Sequence, residues 1–116
     1  MVDRMTHEFQ RRKINLIHAH LYTPFFYSGL ARGWSANIPI LFTEHGRHYP
    51  DNRKIKRVAV NKLLIRHYDR VTAVGKFIKA ALIENEGIWE SQIEVIYNGI
   101  DPKFSAWHCR WPAFIR

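Results

Sequence analysis

Short apolar runs alternate with longer segments of mixed polarity along the whole chain. The runs are rich in Ile, Leu, Val and Phe, and they predict β-strands at residues 14–17, 40–43, 71–74 and 93–97. The segments around them predict helices at residues 1–12, from Thr23 to about Asn37, at 51–68 and at 76–86. Strands that alternate with helices, and that are short and continuously apolar, indicate an α/β fold with a parallel sheet and helices on both faces.

Local signals support individual helix boundaries. Thr23 and Pro24 are typical of a helix start, with a hydroxyl as N-cap and proline at the first helical position. Gly87 is typical of a helix end. In the segment 51–68 the consecutive Leu63, Leu64 and Ile65 predict a helix that is buried on more than one side, which argues against a membrane-surface helix.

Polar residues follow each predicted strand directly. The carboxyl ends of parallel strands lie at one edge of a sheet, and this edge is where ligands bind in open α/β folds. The residues that the pattern brings to this edge are His18 and His20, then Glu44, His45, Gly46, Arg47 and His48, then Gly75, and finally Asn98 and Gly99.

The histidines at this edge allow more than one interpretation. Four imidazoles, from His18, His20, His45 and His48, are a candidate zinc site, but structural zinc sites usually add cysteines and none is near. We therefore predict no metal, and we expect His18 to be a histidine whose hydrogen bonds are satisfied under the sheet. Glu44 and His45 are sequence neighbours that should point apart, so a direct acid–base dyad is not expected. His45 is better placed to hydrogen-bond a ligand, and a loop histidine bonded to nearby backbone is the equally weighted alternative.

Composition limits the chain to one domain and leaves its partners open. At 116 residues and a net charge of +8, the chain either has a basic, solubilising surface or is attracted to phosphate-bearing partners. A single cysteine, Cys109, excludes an internal disulfide and fits a reducing compartment. No apolar run approaches the ~20 residues that cross a bilayer. We expect a cytoplasmic protein, with a peripheral contact at the inner face of the membrane as a further expectation.

Several common motifs are absent from the sequence. It has no G-x-G-x-x-G, no P-loop and no G-x-S-x-G, which argues against a dinucleotide or ATP site of the usual type and against the common hydrolase elbow. A basic module that binds nucleic acid or anionic lipid is the main rival to an enzyme. It would need Arg53, Lys54, Lys56 and Arg57 on one exposed face with aromatic partners.

Four strings, in their order and spacing, resemble the amino-terminal domain of family 4 glycosyltransferases of the GT-B type. They are INLIHAHLYTPFF, PILFTEHGRHYPD, RVTAVGKFIKAALIENEGI and IEVIYNGID, and they cover about residues 12–101. The resemblance implies a Rossmann-like domain that binds the acceptor, next to a carboxy-terminal domain that binds the nucleotide-sugar donor. It also implies retaining sugar transfer to a glycan or lipid-linked acceptor, as in cell-surface polysaccharide or glycolipid synthesis. No metal and no cofactor beyond the donor are implied, and no nucleic-acid partner.

The resemblance also assigns roles to individual residues. His45 would reach the donor sugar as the catalytic residue. The substrate-binding residues would be His20, Tyr22, Thr23, Gly46, Arg47, Gly75, Asn98 and Gly99. Family members commonly have serine where this chain has Gly75, so a phosphate contact of the following helix is in doubt there.

The resemblance further predicts how the chain is organised. Residues 1–104 would form a partial Rossmann-like domain, and residues 105–116 match nothing in the family. The donor domain of the family has no counterpart in this sequence. We therefore expect a fragment that is inactive alone.

Overall fold

The computed structural model of the chain describes residues 1–33, 37–46 and 53–99. Its helices are α1 (Val2–Arg11), α2 (Tyr22–Arg32), α3 (Ile55–Leu64) and α4 (Lys76–Glu86), and a short 3-10 turn spans Glu90–Gln92. Its strands are β1 (Ile17–His20), β2 (Ile40–Glu44), β3 (Arg70–Ala73) and β4 (Ile93–Val95).

The four strands form one parallel sheet in the order β1-β2-β3-β4. Each consecutive pair of strands is joined through one helix, which is the βαβ unit that parallel pairing requires. All four strands therefore end at the same edge. The predicted fold class, an α/β Rossmann-like parallel sheet flanked by helices, is confirmed.

The described helices cover one face of the sheet, whereas the sequence pattern predicted helices on both. Strand order follows chain order, so every right-handed crossover moves in the same direction and puts its helix on the same face. Side chains from that face and from α2, α3 and α4 form one core. Its members include Ile17, Ala19, Phe25, Ile40, Phe42, Leu64, Val71, Ala73, Ile78, Leu82 and Ile93.

The opposite face of the sheet, called the open face below, is mostly polar, with Leu41 as an apolar exception. It carries His18 and His20 from β1, Thr43 from β2, Thr72 from β3 and Glu94 from β4. His18, His20 and Glu94 are exposed, and Thr43 is half-buried. A parallel sheet covered on both faces reads as continuous apolar strands, so the alternation in β1 marks a face that the described helices leave bare.

The first strand and the second helix begin elsewhere than predicted. The strand was predicted at residues 14–17 but spans Ile17–His20, because Ile17 is the first residue that pairs with β2, opposite Ile40. His18 and His20 are consequently strand residues. Helix α2 begins at Tyr22, and its N-cap is Leu21 with no side-chain cap, so Thr23 is not the cap.

Other boundaries also differ, and the largest difference is at the end of α2, which was predicted at about Asn37. Helix α2 ends at Arg32, β3 spans Arg70–Ala73 and β4 ends at Val95, whereas α4 has the predicted bounds. Gly87 follows α4 with φ +65°, the left-handed conformation expected of a helix-ending glycine.

Helix α3 is shorter and less buried than the segment 51–68 predicted. It spans Ile55–Leu64, and Leu63 is 58% exposed while Leu64 is buried. The prediction of burial on more than one side is therefore wrong. Within the described residues, no helix is both long and apolar enough to cross a membrane.

A buried ion pair joins α2, β2 and the α3–β3 connection. Arg32 Nη1 and Nη2 donate to Asp69 Oδ1 and Oδ2 at 2.7 and 3.0 Å, and both side chains are at most 2% exposed. The same carboxylate accepts the backbone N–H groups of Ile40 and Arg66, each at 2.8 Å. We call the Arg32–Asp69 pair with these two backbone bonds the clamp, and it fixes the position at which β2 begins in the sheet.

We predict that Arg32→Met lowers the free energy of unfolding by about 3–5 kcal/mol, because it leaves the Asp69 carboxylate buried without its cation. Urea unfolding followed by circular dichroism measures the change. Arg4→Met is the matched control, since Arg4 is exposed on α1, and it should change stability by less than about 0.5 kcal/mol.

The double variant Arg32→Met with Asp69→Asn tests whether the pair acts as a unit. Asparagine carries no charge but keeps an oxygen for a backbone N–H, so the double change should cost less than the two single changes added. Strict additivity of the two single effects would contradict the clamp.

Candidate functional site

The carboxyl edge of the sheet brings together residues from the ends of all four strands. His20 is the last residue of β1 and Glu44 the last of β2, while β3 and β4 end at Ala73 and Val95. Leu21 N–H donates to Thr43 O at 2.9 Å, so the exit from β1 is tied to β2. The edge predicted from the sequence is therefore formed by the chain segments expected there.

Three imidazoles meet at this edge on the open face, and we call them the histidine cluster: His18, His20 and His45. The ring centroids of His18 and His20 are 4.1 Å apart, and those of His20 and His45 are 5.1 Å apart in a stacked arrangement. His20 Nδ1 and His45 Nε2 lie 2.8 Å apart, within hydrogen-bonding distance. One ring must donate and the other accept, so this bond holds one proton between the two rings.

Two threonine hydroxyls extend the cluster across the open face. His18 Nε2 lies 2.9 Å from Thr43 Oγ1, which lies 2.7 Å from Thr72 Oγ1. His18 is thus a satisfied histidine, but it lies on the exposed side of the sheet rather than under it. Hydroxyls and imidazoles donate and accept, so this surface can bond the hydroxyl groups of a ligand in either direction.

The pKa of the His18 imidazole is lowered from its ordinary value. Partial burial is the largest cause, and the charges that His20 and His45 acquire on protonation lower the pKa further. His18 is therefore kept neutral at pH values where an isolated imidazole begins to charge.

The described residues do not form a metal site. Among residues 1–33, 37–46 and 53–99, no group of three or more His, Cys, Asp or Glu side chains has the arrangement that could hold a metal ion. His48, the fourth histidine of the zinc alternative, lies outside the described residues.

Glu44 and His45 point apart, as predicted. Glu44 is 3% exposed and belongs to the helix-covered face, where its Oε1 accepts the backbone N–H of Gly46 at 3.0 Å. His45 is exposed and bonds His20 instead. A direct acid–base dyad between the two is therefore excluded in this geometry.

The start of α2 contributes a packed tyrosine and a strained residue. Tyr22 is half-buried, and its ring lies 6.0 Å from that of Phe25 and 5.5 Å from the Arg57 guanidinium carbon. Burial raises the pKa of Tyr22 to about 12, with a smaller contribution from the charge of Glu86. Leu21 has φ +71° and ψ 162°, a conformation that side-chain-bearing residues rarely adopt, and Thr23 is exposed.

Four further predicted site residues lie at the same edge, namely Gly46, Gly75, Asn98 and Gly99. Gly75 is the N-cap of α4, and among the described residues a Cβ would meet no atom within 4 Å at Gly75 and only Glu44 Oε1, at 3.8 Å, at Gly46. Asn98 and Gly99 are exposed beyond the end of β4. Arg47 lies outside the described residues.

Sequence analysis missed a buried polar cluster behind the edge. Arg57 pairs with Glu86, and Asn61 Nδ2 donates to Glu86 Oε2 at 2.9 Å. Asn61 and Glu86 are each at most 2% exposed. A signal existed in the sequence, because Arg57, Asn61 and Leu64 share one face of α3 at helical spacing. Composition alone does not distinguish this buried face of α3 from its exposed face.

Comparisons with known proteins give a consistent result. The profile of Glycosyltransferase Family 4 matches residues 1–104. A crystal structure of a glycosyltransferase from Rickettsia africae ESF-5 superposes with a TM-score of 0.69 and 26% sequence identity over 86% of this chain. The chain spans 25% of the length of that protein. A search of curated proteins found no significant match.

We predict that His18 titrates below its ordinary pKa of about 6.5 and that His45→Gln raises its midpoint, because one repelling charge is removed. From about pH 6.5 down through the lowered midpoint, the folded state binds fewer protons at His18 than the unfolded state does, so His18 makes stability fall as the pH falls through that window. Proton NMR of the ring signals measures the midpoint. His7→Gln, on exposed helix α1, should leave it unchanged. An unchanged His18 midpoint in His45→Gln would contradict the cluster.

Proposed function

Because the chain belongs to glycosyltransferase family 4, we propose that it forms the acceptor-side domain of a GT-B glycosyltransferase. The enzyme transfers a sugar from a nucleotide-sugar donor to a glycan or lipid-linked acceptor, with retention of anomeric configuration, in polysaccharide or glycolipid synthesis. The donor nucleotide is assigned to a second, carboxy-terminal domain. The donor is a co-substrate, and neither a metal nor a further cofactor is part of the proposal.

The observation that carries the proposal is the His20–His45 bond at the carboxyl edge of the sheet. His45 is exposed and its ring is oriented by His20. Among the described residues its second ring nitrogen has no hydrogen-bond partner, and it lies at the edge where α/β folds bind ligands. An oriented imidazole can bond a sugar hydroxyl or the developing charge at the transferred sugar without reorganising during the reaction. His45 is therefore proposed as the catalytic residue.

The acceptor is proposed to bind along the same edge. Imidazole and hydroxyl groups of the open face supply polar contacts, and Tyr22 with its neighbours supplies an apolar wall. The residues assigned to substrate binding are His20, Tyr22, Thr23, Gly46, Arg47, Gly75, Asn98 and Gly99. Tyr22 would serve through its half-buried ring, which packs beside Phe25.

The exposed face of α3 favours a peripheral contact with anionic membrane. Ile55, Ala59 and Leu63 follow one another at spacings of four, and Lys56 and Lys62 flank this stripe. Ile55 and Leu63 are 81% and 58% exposed. Apolar residues beside lysines on a helix surface fit an interface of lipid tails and anionic headgroups.

The same helix argues against a nucleic-acid module. Arg57, one of the four cations that such a module would use, is paired with Glu86 and its side chain is 10% exposed. The exposed residues of α3 include no aromatic side chain on which a base could stack. The cytoplasmic location remains part of the proposal.

We predict that His45→Ala lowers the transfer rate roughly tenfold to a hundredfold, the value of one hydrogen bond to a charged group. The measurement uses a two-domain form in which a GT-B donor domain follows this chain, with release of the nucleotide as the readout. The chain alone should show no turnover, because one half cannot position donor and acceptor together. His7→Ala is the control and should leave the transfer rate unchanged. A His45→Ala protein with an unchanged circular dichroism spectrum and full activity would remove His45 from the site.

We predict that Lys56→Gln with Lys62→Gln weakens binding to phosphatidylglycerol vesicles by about tenfold or more, since each cation near the surface contributes about 1 kcal/mol. Ile55→Ser with Leu63→Ser should weaken it by loss of apolar contact. Arg4→Gln with Lys13→Gln removes the same charge from the region of α1 and should have little effect. Vesicle co-sedimentation measures binding, and equal binding to phosphatidylcholine vesicles would contradict the proposal.

A further inference from the structure

Glu44 is a buried carboxylate directly behind the histidine cluster. It ends β2 on the helix-covered face and is 3% exposed. Its Oε1 accepts the backbone N–H of Gly46 at 3.0 Å, and backbone hydrogen bonding from His45 also favours its ionised form. The side chain thus turns back onto the two residues that follow it and closes the turn by which the chain leaves β2.

The charge of Glu44 is linked to the helices. Burial raises the pKa of both Glu44 and Glu86, and the positive charge of Arg57 opposes the rise in each. Arg57 and Asn61 lie on α3, and Glu86 lies on α4. The charge of Arg57 therefore favours the ionised form of two buried carboxylates, and Arg57 pairs directly with one of them, Glu86. Each carboxylate lies on the helix-covered side, and the charge of Glu44 raises the pKa of Glu86.

The buried contact of Glu44 also affects where the exposed ring of His45 lies. Successive side chains of a strand point to opposite faces, so a backbone held by Glu44 on the covered side directs His45 to the open side. There His45 Nε2 lies 2.8 Å from His20 Nδ1. This bond joins a ring on β1 to a ring that directly follows β2, so it depends on the placement of both backbones.

We propose that Glu44 is a positioning residue of this site: its carboxylate fixes the His45–Gly46 backbone and thereby holds the His45 ring against His20. Glu44 contacts no substrate in this arrangement and acts through His45. A role of Glu44 in sugar transfer rests on the proposed role of His45. The effect of Glu44 on the position of the His45 ring does not depend on that role. The tests below therefore measure no sugar transfer, and loss of the catalytic hypothesis would leave them unaffected.

The first test uses the unaltered 116-residue chain and NMR. The Gly46 amide proton signal should shift with the same midpoint as the Glu44 carboxyl carbon, because its hydrogen bond changes when that carboxyl ionises. The midpoint should lie above the ordinary glutamate pKa of about 4.3. Ring nitrogen signals of His20 and His45 should respond at the same midpoint. A Gly46 signal that does not follow Glu44 overturns the proposal.

Variants then separate positioning from general stability. Glu44→Leu removes the acceptor, so exchange of the Gly46 amide should become about tenfold faster or more, and the ring nitrogen signals of the His20–His45 bond should be lost. Glu44→Asp should restore both, because aspartate bonds the N–H two residues ahead in Asx turns. Gly46→Ala keeps the N–H, and its Cβ meets Glu44 Oε1 at an ordinary 3.8 Å, so it should keep amide protection.

The exchange of strand amides in β2 and β3 serves as the internal reference. If Glu44→Leu also loses protection in these strands, the variant has unfolded. The proposal is then tested by Glu44→Asp and by the titration of the unaltered chain. A Glu44→Leu protein with an intact sheet and an intact His20–His45 bond overturns the proposal. An Asp variant that fails to restore that bond while its sheet is intact does the same.

Discussion

The buried bond between Arg32 and Asp69 is the constraint on which the rest of the described structure depends. Two charges taken out of water cost several kcal/mol, and additional hydrogen bonds to the pair offset that cost. Here the carboxylate also accepts the N–H groups of Ile40 and Arg66. One side chain thus holds the end of α2, the first residue of β2 and the approach to β3. Ile40 is the residue that pairs with Ile17, so holding Ile40 supports the register in which Thr43 lies opposite His20.

The parts of the fold that local chemistry determines could be predicted from the sequence. Helix α4 has the predicted bounds because Gly75 and Gly87 limit it at each end. Strand β1 was misplaced by three residues, since the apolar residues from Ile14 onward resemble a strand, whereas only pairing with β2 defines one. The alternation of His18 and His20 with Ile17 and Ala19 is a half-covered strand, but it was taken for a strand end.

The candidate site was predictable in place but not in its contacts. His20 and His45 were expected at one edge because parallel strands end together, yet their bond depends on the register of β1 against β2, which no local pattern contains. The same holds for Thr43 and Thr72, which meet only through the register of β2 against β3. On α3, Arg57 belonged to a basic run in the sequence, and only packing against α4 separates it from its exposed neighbours.

Leu21 has a strained backbone conformation directly beside the candidate site. Its positive φ, in a region that only glycine enters freely, costs of order 1–3 kcal/mol, and the residue lies between His20 and Tyr22. Glycine at this position would release that strain and loosen the turn in the same step. Directed evolution for heat resistance alone would therefore tend to select Leu21→Gly. Such variants would tolerate higher temperatures while losing the fixed approach from β1 into α2.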